Sequence, residues 1–209
     1  MNIDYYAKVH RTDKASWGHN FTEFYEELFG GLRDEQVKIL EFGVKFGSSL
    51  RMWEDAFPNA TVIGVDNNWR IRDSVRPQRS ILIDADLGDR EKIAEICEEY
   101  GPFDIVVDDS AHRSHITRNI VETVFPQHLK QGCWLVIEDT NSGYKNTEKP
   151  GCSPEKHDQI DYCMGLVKNV NHSGMLTRCG PRFWADSSEF DIAIKEIRYR
   201  PGVMAMQRR

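Results

Sequence analysis

Two stretches of this chain combine residue types that can do chemistry. They are "FDIVVDDSAH" (103–112) and "CWLVIEDT" (133–140). Each is an apolar run that ends in two adjacent carboxylates, Asp108-Asp109 in the first and Glu138-Asp139 in the second. Neighbouring like charges at the mouth of a buried strand repel and lose hydration, so a fold that keeps them must offset that cost. Hard oxygen ligands gathered from two adjacent strand ends suit Mg²⁺, or Mn²⁺, and a cation would remove the repulsion. Asp109, Glu138 and Asp139 are therefore candidate metal ligands. The plainer reading of the same residues is solvated loop acids and helix caps. His112 stands just behind the first pair, where a neutral imidazole could take a proton from a metal-activated hydroxyl. His115 lies about one helical turn further on and is expected to be exposed or supporting.

These residues need elements to position them. Five continuous apolar runs read as strands buried on both faces: "VKILEFG" (37–43), "ATVIGVD" (60–66), "SILIDAD" (80–86), "FDIVVDD" (103–109) and "CWLVIED" (133–139). Helical patterns separate most of them. "SSLRMWEDAF" puts Leu50, Trp53 and Phe57 on one face, with Pro58 as a stop. "DREKIAEICEEYG" aligns Ile93, Ile96 and Cys97, and "SHITRNIVETVF" aligns Ile116, Ile120, Val121 and Val124. Alternation of this kind predicts a parallel α/β sheet with helices on both sides. Residues 17–32 read as an added N-terminal helix, and "IDYCMGLVKNV" as a late one. The closing "DIAIKEIRYRPGVMAMQRR" reads as two strands about the turn Arg200-Pro201-Gly202, which makes one sheet edge antiparallel.

Composition narrows the function classes. The net charge of −6 disfavours nucleic acid as a main partner. Cys97, Cys133, Cys152, Cys163 and Cys179 are scattered without a C-x-x-C pair, which fits a reducing compartment better than a disulfide framework. The start lacks the apolar core of a signal peptide, and no apolar run approaches the roughly 20 residues of a membrane span. A soluble cytoplasmic protein with no membrane partner is expected.

All five strands deliver a carboxylate to the same edge: Glu41, Asp66, Asp86, Asp108-Asp109 and Glu138-Asp139. In open parallel sheets that edge is where ligands bind. After the first strand, "EFGVKFGSS" carries Gly43 and Gly47, which let backbone approach a ligand at a helix start. Its G-x-x-x-G spacing is a poor match to the dinucleotide fingerprint. Asp66 can accept from both hydroxyls of a ribose, or be a turn residue of "VDNN".

"KILEFGVKFGSSLRMWEDAFPNATVIGVD", "GPFDIVVDDSAH" and "LKQGCWLVIEDT" together resemble the class I S-adenosylmethionine-dependent methyltransferases. More narrowly they resemble the metal-dependent sugar O-methyltransferases of macrolide antibiotics, and more distantly the cephalosporin-biosynthesis group. The similarity runs from Arg11 to Asp139, with an echo in the final hairpin. It implies a Rossmann-like α/β sheet, mostly parallel with an antiparallel C-terminal hairpin strand. One methyltransferase domain over 1–209 is expected. The absence of the large auxiliary N-terminal domain of the macrolide enzymes is a departure from the resemblance, so their oligomer contacts and substrate preference are not carried over. Residues 1–36 would close over the cofactor, and 140–186 would form a substrate lid.

The resemblance further implies S-adenosylmethionine and Mg²⁺ (or Mn²⁺) as cofactors. Thr12 and Lys14 would close on the methionine part, with Glu41, Gly43, Gly47 and Ser48 beneath it. Asp66 would bind the ribose, Ala85 and Asp86 would flank the adenine, and Asp108 would sit near the amino or sulfonium end. Asp109, Glu138 and Asp139 match the magnesium ligands, and His112 the general base. Ser110-Ala111 replaces the usual Gly-Ser, with spacing kept, and the next His is displaced by one residue.

The expected reaction is methyl transfer to a hydroxyl of a sugar-containing or polyhydroxylated small molecule, by a homo-oligomer. Tyr144, Phe183 and Trp184 are candidate walls for a sugar ring, or lid packing. A catechol or phenol acceptor, an NAD-dependent dehydrogenase and a non-catalytic cofactor-binding module are the alternatives. The dehydrogenase leaves the acid cluster unexplained, and the module needs neither metal nor His112.

Overall fold

The computed structural model describes residues 1–71, 73–142, 158–179 and 193–209. Seven strands form one sheet: β1 Lys38–Phe42, β2 Thr61–Asp66, β3 Ile81–Asp84, β4 Phe103–Asp108, β5 Leu129–Glu138, β6 Ile194–Arg200 and β7 Val203–Arg208. Their order is β3-β2-β1-β4-β5-β7-β6. The first five are parallel, and β7 runs antiparallel to both β5 and β6. The sheet reverses direction of growth between β1 and β4, the switch point at which open α/β sheets bind ligands.

The helices are α1 Ile3–Val9, α2 Thr22–Phe29, α3 Ser48–Ala56, α4 Arg90–Tyr100, α5 Ser114–Gln127 and α6 Asp158–Cys179. Strand side chains alternate between faces, and each face has its own core. Ile39, Val62, Ile105, Val107 and Val136 pack with Phe24, Tyr25, Phe29 and Trp53. Leu40, Ile63, Val106, Leu135 and Ile137 pack with Ile93, Ile96, Ile120 and Val121. That is why the central strands β1, β2 and β4 are continuously apolar, since neither face meets water along most of their length, whereas the edge strand β3 leaves Leu82 exposed. Each such fully buried side chain contributes about 1.5–3 kcal/mol.

Several boundaries differ from the sequence reading, among them the start of β5 at Leu129 and the span of α6. The N-terminal helix starts at Thr22, not at residue 17, because residues 13–20 fold into a turn closed by bonds such as the His19 amide to the Asp13 carbonyl. A further helix, α1, precedes that turn and is N-capped by Asn2. β3 ends at Asp84, so Ala85 and Asp86 lie in the turn beyond it. There the Asp86 carboxylate accepts from the Gly88 amide and ends the extended run. No helix among the described residues is long and apolar enough to cross a membrane.

Candidate functional site

The five parallel strands bring their C-terminal carboxylates to one edge, in two groups. On the cofactor side of the sequence reading, the loop from β1 to α3 turns at Gly43, whose φ is +89°. A side chain there would run into the Asp109 carbonyl at 2.1 Å, so only glycine lets this loop lie against the end of β4. Gly47, with φ +86°, is the N-cap of α3, and Ser48 follows half-buried as its first residue. Asp66 grips the same loop. One of its oxygens accepts from the Val44 and Lys45 amides, both at 2.8 Å, and the other from the Asn68 amide. Ala85 is buried beside it and Asp86 is exposed.

Glu41 is fully buried, and its Oε2 accepts from the Trp53 indole at 3.0 Å. Its Oε1 has no hydrogen-bond partner and lies 3.5 Å from Lys14 Nζ. Burial pushes the Glu41 carboxyl up to about 7, although Lys14 counters the effect. Asp108 is also buried. Its Oδ1 accepts from the Ser110 hydroxyl and amide, whereas Oδ2 has no partner. Unpaired buried carboxylate oxygens are costly, and these two lie on opposite faces of the sheet, Glu41 beside Trp53 and Lys14 and Asp108 beside Ser110.

The second group stands at the ends of β4 and β5. Donor atoms of Asp109, His112 and Asp139 lie within 4.8 Å of one another. Asp139 Oδ2 is 3.4 Å from His112 Nε2, and Asp139 Oδ1 is 3.1 Å from His19 Nδ1. His112 Nδ1 is buried without a partner. His112 and Asp139 both adopt left-handed backbone, with φ of 55° and 50°. For non-glycine residues this costs free energy of order 1–3 kcal/mol and is concentrated at functional sites. Here the left-handed turns aim both side chains back over the sheet edge.

Glu138 does not share this group. Its carboxylate points to the other side of the strand end and accepts from Lys14 Nζ at 2.7 and 2.8 Å and from the Tyr25 hydroxyl. Lys14 also donates to Asp109 at 2.5 Å. With 1% of its side chain exposed, Lys14 is a buried cation amid three carboxylates. Burial alone would lower its pKa, but Asp109, Glu138 and Glu41 hold it well above the usual lysine value. Burial and the nearby Asp109 push Glu138 up in turn. The cluster holds more negative charge than a single ammonium offsets, which adds to the effect of burial on Glu138 and outweighs it on Lys14.

The sequence reading assigned Thr12 and Lys14 to the cofactor's methionine part. In the structure Thr12 is buried, and the Lys14 ammonium lies between Glu41 of β1 and the acids Asp109 and Glu138. His19 and Tyr25 were not foreseen. They lie in a polar turn and at the start of a short helix, and nothing local in "WGHNFTEFY" marks either as facing residues 138–139. His115 is exposed on the first turn of α5. Tyr144, Phe183 and Trp184 lie outside the described residues.

No family model matches the chain. It is 33% identical, over 81% of its length and 46% of the relative's, to the L-olivosyl-oleandolide 3-O-methyltransferase of Streptomyces antibioticus. Against the mycinamicin VI 2''-O-methyltransferase of Micromonospora griseorubida it is 37% identical, over 64% of its length and 34% of that protein's. Among solved structures, the MycE methyltransferase of the mycinamycin pathway, in complex with Mg and SAH, matches with a TM-score of 0.81 at 26% identity, covering 100% of this chain and 54% of MycE. A putative caffeoyl-CoA O-methyltransferase from Staphylococcus aureus shares the fold alone, with a TM-score of 0.59 at 12% identity. The chain thus spans about half the length of the curated relatives it matches. On the strength of these matches and the sheet that carries the site, the chain belongs to the class I S-adenosylmethionine-dependent methyltransferases, among the relatives of the macrolide and sugar O-methyltransferases.

Proposed function

We propose that the chain transfers the methyl group of S-adenosylmethionine to a hydroxyl of a sugar or glycosylated small molecule, with a divalent cation at the ends of β4 and β5. One observation carries this reading: Asp109, His112 and Asp139 converge within 4.8 Å, and the Asp109 backbone lies against Gly43 of the β1–α3 loop. The two carboxylates supply hard oxygen ligands of the kind Mg²⁺ or Mn²⁺ takes, with the imidazole beside them. When bound, such a cation supplies Lewis acidity that makes a nearby hydroxyl easier to ionise.

The remaining work falls to the chain. Asp109 and Asp139 would hold the cation, with Glu138 as a third ligand where Lys14 yields it. His112 would take the hydroxyl proton on Nε2, the nitrogen that faces Asp139. Gly43, Gly47 and Ser48 would carry the cofactor's methionine part, Asp66 the ribose, Ala85 and Asp86 the adenine, and Asp108 the amino end. Holding the two substrates in line across the sheet edge supplies the rest of the rate.

His112 groups with the two acids, so a second reading makes it a cation ligand. Electron–nuclear coupling from its ring nitrogens in the Mn²⁺-loaded protein separates ligand from base. The main test is methyl transfer to a panel of rhamnosyl, olivosyl and catechol acceptors. Turnover on the sugars should vanish in excess EDTA and return with Mg²⁺. Full turnover in EDTA would remove the cation from the mechanism, and preference for catechols would reassign the acceptor.

A further inference from the structure

The sequence reading groups Asp109, Glu138 and Asp139, whereas the structure divides them. Asp139 faces His112 and His19, Glu138 faces Lys14 and Tyr25, and Asp109 touches both sets. Lys14 is the hinge of that division. Its three N–H donors are committed to Asp109 and Glu138, with Glu41 at 3.5 Å. It comes from far away in the chain, 95 residues from Asp109 and 124 from Glu138.

Its backbone is pinned. The Lys14 carbonyl accepts from the Phe21 and Thr22 amides, at 2.9 and 3.2 Å. Nearby, Asp4 accepts from the Ser16 amide and from the Ser16 and Thr22 hydroxyls. The ammonium is therefore built into the fold, rather than being a surface charge that happens to reach inward.

We propose, on the strength of the divalent site read above, that Lys14 is the internal counter-cation of this acid cluster and competes with the divalent cation for Asp109 and Glu138. Through it, the segment from Thr12 to Tyr25 sets how tightly the site takes up metal. The physical argument is charge sharing. Glu138 cannot direct the same oxygens at an ammonium and at a divalent ion without bringing two cations close together in a buried setting, where their repulsion is poorly screened. Asp109 is under the same constraint. A divalent ion that enters must loosen Lys14, and with it the turn that carries Lys14. Conversely, Lys14 keeps the acids assembled until the ion arrives.

The test is calorimetric titration of Mg²⁺, with Mn²⁺ followed by electron spin resonance, on the full chain and on Lys14→Met. Lys14→Met should bind the cation at least tenfold more tightly, and its melting temperature should rise on metal addition by more than the wild type's. Lys14→Arg, which keeps the charge, should bind like the wild type. Equal or weaker binding by a folded Lys14→Met overturns the competition and leaves the divalent reading standing. If neither protein takes up the cation, both fall. Should Lys14→Met fail to fold, hydrogen exchange on the wild type decides. Amides of residues 12–20 should exchange several-fold faster in Mg²⁺ than in EDTA, and slower or unchanged exchange overturns the proposal.

Discussion

The two halves of the sheet edge solve one problem in different ways. Between β1 and β3, carboxylates are satisfied largely by backbone amides. Asp66 takes Val44, Lys45 and Asn68, and Asp86 takes Gly88. The same device recurs at the opposite edge of the sheet, where the end of α3 meets the start of β3 and buried Glu54 takes the amides of Gln78, Arg79 and Ser80. At the ends of β4 and β5, Asp109, Glu138 and Asp139 are met by side chains: Lys14, Tyr25, His19 and His112. Amide cages fix loop shape and have few ways to rearrange. Side-chain partners can be exchanged for a ligand. The first half therefore reads as a moulded cradle, and the second as a place where partners change.

If that contrast is right, damage to the two halves should give different phenotypes. The largest effect is expected at His112. His112→Ala should lower turnover by about 10²–10⁴-fold, the usual contribution of a positioned base. Affinity for S-adenosylhomocysteine should stay within a factor of about two, because no cradle residue is touched. Single-turnover rates and calorimetry on the same preparation check both halves of the claim. A variant that loses cofactor affinity as well would merge the two regions.

Next comes Glu54→Ala, at the opposite edge of the sheet, which tests what an amide cage is worth away from the site. The carboxylate is inaccessible to solvent and accepts from three amides, the Ser80 hydroxyl and Arg51. Removing it strands those donors, so unfolding free energy should drop by about 3 kcal/mol. Denaturant unfolding measures this. A loss under about 1 kcal/mol would mean that the amides find water and the cage is not needed.

The contrast also explains what was legible in the sequence. The strands were, because both faces are buried and the apolar runs are continuous. The carboxylates were, because they sit at the ends of those runs, and their side-by-side order follows from right-handed crossovers between parallel strands. Asp66 was legible as a strand-end acid, but its bonds to the Val44 and Lys45 amides of the adjoining strand's loop were not, because the sequence offers it only ribose hydroxyls or the turn of "VDNN".

Lys14, His19 and Tyr25 were not legible in their present roles. They sit on a turn and a short helix whose docking depends on long-range packing: Phe21, Phe24 and Phe29 in the core, and Arg200 to Glu27 at the rim. No periodicity places a residue of that turn opposite one more than a hundred positions later. The split of Glu138 from Asp139 was hidden for a related reason. Adjacent strand residues point to opposite sides only while the strand continues, and Asp139 leaves it in a left-handed conformation.

A smaller effect is expected from Asp66→Asn. The substitution keeps the size but replaces one accepting oxygen with a donating amide, so one of the three amide contacts must be lost. Cofactor affinity should weaken about tenfold, or ~1.4 kcal/mol. Turnover at saturating cofactor should be nearly unchanged. Separate measurement of KM for the cofactor and of kcat tests this, and a fall in kcat alone would transfer Asp66 to the reacting side.

The smallest effect concerns Asp4, which holds the segment that brings Lys14 and His19 to the second half. Partial burial would raise its pKa, but hydrogen bonds from Lys8, the Ser16 amide, Thr22 and the Ser16 hydroxyl bring it down to about 2. Its value in the folded chain lies below the ordinary 3.8, so its stabilising contribution is full above that pH and disappears as pH falls towards 2. After allowance for solvent screening at a partly exposed position, the contribution is about 1 kcal/mol. Asp4→Asn should therefore lower stability by roughly that amount at neutral pH, and the difference from wild type should close between pH 4 and pH 2. If the segment is the bridge between the two regions, the same variant should speed hydrogen exchange at residues 12–20 and leave the amides of the β1–α3 loop unchanged. Equal loosening of both would mean that the cradle depends on this segment too, and the division drawn at the sheet edge would have to be redrawn around Asp4.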